Sequence, residues 1–146
     1  MIKFEVMEEK HIQGLLKVEK ECFDSGFALE TFNKELKNPI AYYVVAVKGE
    51  AVLGYCGIWN VCGEAEVIDI GVLSEYRKRG IGKGLFDAVF QYMRENGVGV
   101  LNLEVREDNI PAIRLYEKLG FEKVGIRKKY YDNKVDAILM KKDRFC

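Results

Sequence analysis

The sequence predicts one mixed α/β sheet with helices packed on its faces, in the order β-α-α-β-β-β-α-β-α-β-β. Three observations carry that prediction. Apolar residues alternate in some segments and recur every three to four residues in others, turn residues separate those segments, and a glycine-rich loop joins a strand to a helix. With 146 residues, 49% of them hydrophobic and only 2 of them proline, the chain can bury one core without disulfide or metal staples, and residues 1–146 are expected to form one domain.

Ile2, Phe4 and Val6 alternate with polar neighbours, as in a half-buried strand. From Glu8 the spacing becomes helical through Ile12, Leu15, Leu16 and on to Phe23, until Asp24-Ser25-Gly26 breaks it. A second helix starts near Leu29 or Glu30, turns Phe32 and Leu36 inward and stops at Asn38-Pro39, because the residue before proline is pushed out of helical geometry. Ala41 to Lys48 and Ala51 to Val61 are β-rich runs around a Lys48-Gly49-Glu50 turn, the pattern of a hairpin. After Cys62-Gly63-Glu64 comes a strand from Ala65 to Leu73. Strict alternation there would set Glu66, Ile68, Ile70 and Val72 on one face and Val67, Asp69, Gly71 and Leu73 on the other.

Leu85, Val89, Tyr92 and Met93 form the apolar stripe of the next helix, which Asn96-Gly97 ends. Val100 to Val105 is a strand with Leu101, Leu103 and Val105 on one side and Val100, Asn102 and Glu104 on the other, an unexpectedly polar side for a central strand. Asp108-Asn109-Ile110-Pro111 starts the last helix, with Ile113, Leu115, Tyr116 and Leu119 following before Gly120. Phe121 to Tyr131 and Val135 to Lys141 close the chain as a hairpin around Asp132-Asn133-Lys134.

The loop from Leu73 to Gly84 carries the densest chemistry. Gly80, Gly82 and Gly84 stand among Arg77, Lys78, Arg79 and Lys83. Glycines let backbone N–H groups approach an anion, and the helix that follows adds unpaired N–H groups and the positive end of its dipole. A Walker loop is excluded, since Arg77 stands where its first glycine belongs and Gly84 where Ser or Thr belongs. A dinucleotide fingerprint is excluded by Leu85. What remains is Arg77-x-x-Gly80-x-Gly82, which by itself fits either a simple turn or a phosphate cradle.

Charge and cysteine content narrow the classes further. Lys plus Arg and Asp plus Glu number 23 each, so no overall field attracts nucleic acid or a membrane surface. The 4 cysteines (Cys22, Cys56, Cys62, Cys146) lack Cys-x-x-Cys spacing and His11 is the single histidine, which predicts free thiols, no metal site and a reducing, cytoplasmic location. No apolar run approaches the roughly 20 residues of a membrane span.

The loop pattern resembles the acyl-CoA pyrophosphate loop of the GNAT superfamily of N-acyltransferases, and the element order is similar over nearly the whole chain. Closer still is the resemblance to the bacterial ribosomal-protein-alanine N-acetyltransferases, the RimI type. Ile70-Gly-Val72, Tyr76-Arg-Lys-Arg-Gly-Ile-Gly82, Leu103-Glu-Val-Arg106, Asn109, Ala112, Leu115-Tyr116, Leu119-Gly-Phe121, Arg127, Tyr130-Tyr131, Asp136-Ala137 and Met140 carry it.

The resemblance implies acetyl-CoA as cosubstrate and direct transfer to an amine. It implies Glu104 as base, Tyr116 as proton donor to the leaving thiolate, main-chain groups of Ile70, Gly71 and Val72 along the pantetheine, amides from Lys78, Arg79, Gly80, Ile81, Gly82 and Lys83 on the pyrophosphate, and Asn109 at the far end of the pantetheine. Glu66 is the rival base, at the position other branches use, and Asp69 a third. Tyr116 also lies on its helix's apolar stripe, as a core residue would. Cys56 or Cys62 as acyl-enzyme nucleophile is disfavoured, since neither has a histidine nearby in sequence.

On the acceptor side, Phe23, Phe27, Tyr130 and Tyr131 match regions that border the peptide entrance in the RimI type. Ser74 replaces the family's proline, Phe27 its tryptophan and Val135 its acidic residue. The implied acceptor is a protein N-terminus such as the N-terminal alanine of a ribosomal protein. A small amine, a lysine side chain, or a non-catalytic acyl-CoA-binding role are the alternatives.

Overall fold

A computed structural model describes residues 1–23, 29–131 and 134–143. Its elements follow the predicted order: β1 (Lys3–Val6), α1 (Ile12–Phe23), α2 (Leu29–Lys37), β2 (Ala41–Lys48), β3 (Ala51–Val61), β4 (Glu64–Val72), α3 (Ile81–Glu95), β5 (Val100–Arg106), α4 (Ile110–Lys118), β6 (Glu122–Tyr131) and β7 (Val135–Asp143). Short 3₁₀ turns at Glu9–His11 and Ser74–Tyr76 lead into α1 and follow β4. No helix among the described residues is long and apolar enough to cross a membrane.

The strands form one seven-stranded sheet in the order β1-β2-β3-β4-β5-β7-β6. Every pairing is antiparallel except β4 with β5. That parallel junction exists because the chain leaves β4, crosses through α3 and returns alongside it, the connection a parallel pair requires.

Each face of the sheet has its own core. α3 and α4 cover one face, where Leu85, Phe86, Val89 and Met93 meet Leu101, Leu103 and Val105 of β5. α1 and α2 cover the other, where Leu15, Val18 and Phe32 meet Tyr43, Val45 and Tyr55. Each of these fully buried side chains contributes on the order of 1.5–3 kcal/mol, so the two layers hold the sheet as one rigid frame.

A β-bulge changes the predicted faces of β4. Gly57 pairs with Asp69 and Ile58 with Val67, leaving Ile68 without a partner on β3. One extra residue shifts the alternation by one step. Val67, Ile70 and Val72 accordingly all pack into the α3/α4 core, while Asp69 turns to the α1/α2 face, where the Tyr55 phenol donates a hydrogen bond to it at 2.6 Å. Glu66 and Asp69 thus share a face, contrary to strict alternation.

Candidate active site

The two central strands part. β4 and β5 are paired only where Glu64, Ala65 and Glu66 face Val100, Leu101 and Asn102. Beyond that point β5 stays bonded to β7 as far as Arg106 and β4 stays bonded to β3 as far as Val72. An opening therefore separates residues 67–72 from residues 103–106. Main-chain groups along its β4 wall have no strand to bond, which is the condition for holding an extended ligand carrying amides.

Alternation decides which groups those are. Leu73 N–H donates to the Leu53 carbonyl at 2.9 Å, and pairing is regular from Gly57/Asp69 to Gly54/Val72. The amide and carbonyl of Gly71 therefore face β3, whereas those of Ile70 and Val72 face the opening. The Val72 carbonyl already accepts from Arg77 Nε at 3.0 Å and from the Cys22 thiol at 3.4 Å. Ser74 is held in turn by Glu21, which accepts from both its N–H and its hydroxyl. The C-terminal part of α1 is thereby fastened to the start of the glycine loop.

The loop's geometry divides labour among its glycines. Gly80 caps α3 at φ +83°, a left-handed conformation with open space on its Cβ side. Lys78 is also left-handed, at φ +63°, an uncommon state for a side-chain-bearing residue that reaims the amides after it. The first backbone bond of the helix runs from Gly84 N–H to the Gly80 carbonyl at 3.0 Å, so the amides before it point outward at the positive end of the dipole.

A Cβ on Gly82 would meet Leu115 of α4 at 3.1 Å, and one on Gly84 would meet the Phe4 ring at 2.1 Å. Gly84 therefore serves packing against β1. Three of the four nearby cations are engaged locally: Arg77 at Val72, Arg79 over the Tyr76 ring at 5.3 Å, and Lys83 with Asp87 at 2.8 Å. An anion at this loop would meet chiefly backbone N–H groups.

Glu104 lies on the α1/α2 face of β5, opposite the core residues Leu103 and Val105. Its carboxylate pairs with Arg127 of β6 at 3.0 Å; the Glu104 side chain is 20% exposed and that of Arg127 52%. Tyr116 is buried at 6% exposure on the opposite face, edge-on to Phe86 and Phe121 at 5.7 Å and 5.8 Å. The two residues thus lie on opposite faces of the sheet. Asn109 is the N-cap of α4, its side-chain oxygen accepting from Ala112 N–H at 3.3 Å.

Glu66 is exposed on β4 where the strands are still paired. Asp69 lies further along, on the wall of the opening. Burial pushes its carboxyl up to about 6, against the hydrogen bonds from the Tyr55 phenol and the Ile70 N–H that lower it, and the nearby charge of Glu19 adds to the rise. In the folded chain Asp69 keeps its proton to about pH 6, but in an unfolded chain only to about 3.9. Between those values the folded state binds more protons, so this contribution to stability falls as pH rises through the window.

At pH 7 the buried charge costs about 2–3 kcal/mol. Asp69→Asn is therefore expected to be more stable than the wild type at pH 7 and to lose that advantage near pH 4, as measured by urea unfolding at both pH values.

Neither Cys56 nor Cys62 is an accessible thiol at the opening. Cys56 is fully buried, and burial raises its thiol well above the ordinary range, as does the charge of Asp69. Cys62 is exposed in the turn before β4, at the end where the strands are still paired. His11 is buried at the β1 edge, accepting from Glu8 N–H and facing Glu5 at 3.2 Å. Phe27 lies outside the described residues, as do the side chains of Phe23, Tyr130 and Tyr131.

A glycine loop after the fourth strand, a parted pair of central strands and a carboxylate beside the parting form one arrangement. The sequence profile of the Acetyltransferase (GNAT) family matches residues 12–121. The chain belongs to that family. It is an acetyl-transferring acyltransferase that uses acetyl-CoA.

A Bacillus subtilis (strain 168) protein, provisionally named a [ribosomal protein bS18]-alanine N-acetyltransferase, is 39% identical over 136 residues, 92% of this chain and 90% of its own. The N-alpha-acetyltransferase RimI of Mycobacterium tuberculosis is 39% identical over 125 residues, 82% of this chain and 77% of its own. The crystal structure of the Escherichia coli ribosomal-protein-S18-alanine N-acetyltransferase superposes with a TM-score of 0.89 at 27% identity, covering 98% of this chain and 94% of that one.

Two partners of the candidate site escaped the sequence reading: Tyr55, which holds Asp69, and Arg127 in its pairing with Glu104. Tyr55 stands opposite Gly71 only through the bulge at Ile68, which makes Asp69 its diagonal neighbour on the same face.

Proposed function

We propose that this acetyltransferase transfers the acetyl group of acetyl-CoA directly to the α-amino group of a protein N-terminus, such as the N-terminal alanine of a ribosomal protein. The observation that carries the reading is Glu104 beside the parting of β4 and β5, in a chain similar over most of its length to relatives named for that activity. An α-amino group titrates near pH 7.7 to 8.0, so a carboxylate can remove its proton at modest cost. A ribosomal-protein substrate and free thiols at Cys22, Cys56 and Cys62 both suit a reducing cytoplasm.

In this reading the outward amides from Lys78 to Lys83 hold the pyrophosphate, and main-chain groups of Ile70 and Val72 bond the pantetheine, with Asn109 at its far end. Gly71 lends its wall position while its own polar groups serve β3. The thioester carbonyl then sits in the opening, accessible from both faces of the sheet. Glu104 takes a proton from the attacking nitrogen on one face. The Tyr116 phenol gives one to the departing sulfur from the other.

Two measurements test it. Initial rates with an Ala-starting peptide should exceed those with a polyamine, an aminoglycoside or an Nα-blocked lysine peptide; the reverse order would assign the site to small amines or lysine. Tyr116→Phe keeps the ring between Phe86 and Phe121 and removes only the hydroxyl. It should lower kcat at least about tenfold with little change in melting temperature; an unchanged kcat would leave Tyr116 a core residue.

A further inference from the structure

Acetylating a protonated amine removes two protons from nitrogen, one before attack and one as the N–C bond forms. Glu104 serves one of these steps. The bulge at Ile68 brings a second carboxylate, Asp69, to the same face of the sheet on the opposite wall of the opening. Asp69 is held there by Tyr55, which is fully buried and donates at 2.6 Å. Tyr55 is itself fixed edge-on to Phe32 at 5.7 Å and stacked with Tyr43 at 6.3 Å. The titratable groups near Asp69 are Tyr55 and Cys56 on β3, Tyr43 on β2 and the buried Glu19 on α1.

We propose that Asp69 takes the first proton, from the incoming ammonium group, directly or through one water, and that Tyr55 is its positioning residue. The inference rests on the reading of the opening as an amine-acetylation site. The ammonium and the Asp69 carboxylate become a neutral amine and a carboxylic acid, which returns its proton to solvent. The nitrogen lone pair then forms the N–C bond, and Glu104 takes the second proton. The C–S bond breaks with its electron pair on sulfur, which is protonated by Tyr116. Glu104 gives its proton up to solvent and Tyr116 regains one from solvent, so one proton per turnover is released in sum.

Chemistry favours this division. Burial raises Asp69 to about 6, nearer the α-amino range than an ordinary carboxylate, so proton transfer to it is less uphill. Its hydrogen bonds from the Tyr55 phenol and the Ile70 N–H leave acceptor capacity on the carboxylate for an ammonium donor.

The test is kcat/KM for an Ala-starting peptide from pH 5.5 to 9.5 at saturating acetyl-CoA, in wild type, Asp69→Asn and Tyr55→Phe, with acetyl-CoA dissociation constants measured alongside. Asp69→Asn should lose about 10- to 100-fold at pH 6.5 with acetyl-CoA affinity unchanged. The defect should shrink above pH 8.5, where the peptide amine loses its proton unaided. Tyr55→Phe removes a bond that lowers the Asp69 pKa, so the acid limb should move to higher pH.

A defect in Asp69→Asn that is absent, or equal at every pH as a packing fault would be, overturns the inference. So does an unmoved acid limb in Tyr55→Phe, which also decides the matter should Asp69→Asn fold poorly. Wild-type protein that acetylates no amine would instead overturn the underlying reading of the opening.

Discussion

Glu104→Gln is expected to lower kcat for an Ala-starting peptide by about 100-fold, the lower end of what a positioned base contributes, while the acetyl-CoA dissociation constant stays within about twofold. The substitution keeps the side chain's size and removes its charge. It also removes the ion pair with Arg127, and magnitudes separate the two effects. A pair whose arginine is half exposed contributes about 1 kcal/mol or less to stability, whereas a 100-fold loss in rate corresponds to about 2.7 kcal/mol of barrier. A small shift in unfolding midpoint with a large fall in kcat is thus the signature of the base. Unchanged turnover would transfer the role to Glu66, Asp69 or water.

Gly82→Leu should have the opposite profile, weakening acetyl-CoA binding by about tenfold or more. The new side chain would press on Leu115, 3.1 Å from the Cβ position, and displace the first turn of α3 whose amides are the proposed cradle. Loss of one charge-assisted hydrogen bond is worth about 1.5–3 kcal/mol, or roughly 10- to 100-fold in affinity. Gly84→Ala is the control: its Cβ would collide with the Phe4 ring at 2.1 Å. It should therefore cost about 1–3 kcal/mol of stability and leave acetyl-CoA affinity intact. Calorimetric titration separates the two, and equal affinity in Gly82→Leu would remove the cradle assignment.

Most of the fold was legible because its signals are local. The hairpin turn at Gly49, the helix stop at Asn38-Pro39 and the cap at Asn109 each depend on a few adjacent residues, and each stands where the sequence sets it. That Asp69 shares a face with Glu66 was not legible, because the bulge at Ile68 arises from pairing with β3 and leaves no mark in the alternation of β4 itself. Roles within the glycine loop were partly hidden for the same reason. That Gly80 caps α3 emerges only from its left-handed backbone, and Gly84 is explained only by the ring of Phe4, some 80 positions away in the chain. The polar side of β5 pointed to Glu104, whereas its partner Arg127 required the β5-β7-β6 order.

Incubation of the protein with acetyl-CoA and a peptide beginning with alanine and containing one internal lysine, followed by mass-spectrometric mapping of the product, addresses acetyl transfer to an N-terminus most directly. One acetyl group on the α-nitrogen, with the lysine untouched and an Nα-blocked peptide inert, is the predicted result. Acetylation confined to lysine, or no transfer to any peptide while a small amine is acetylated, would contradict it.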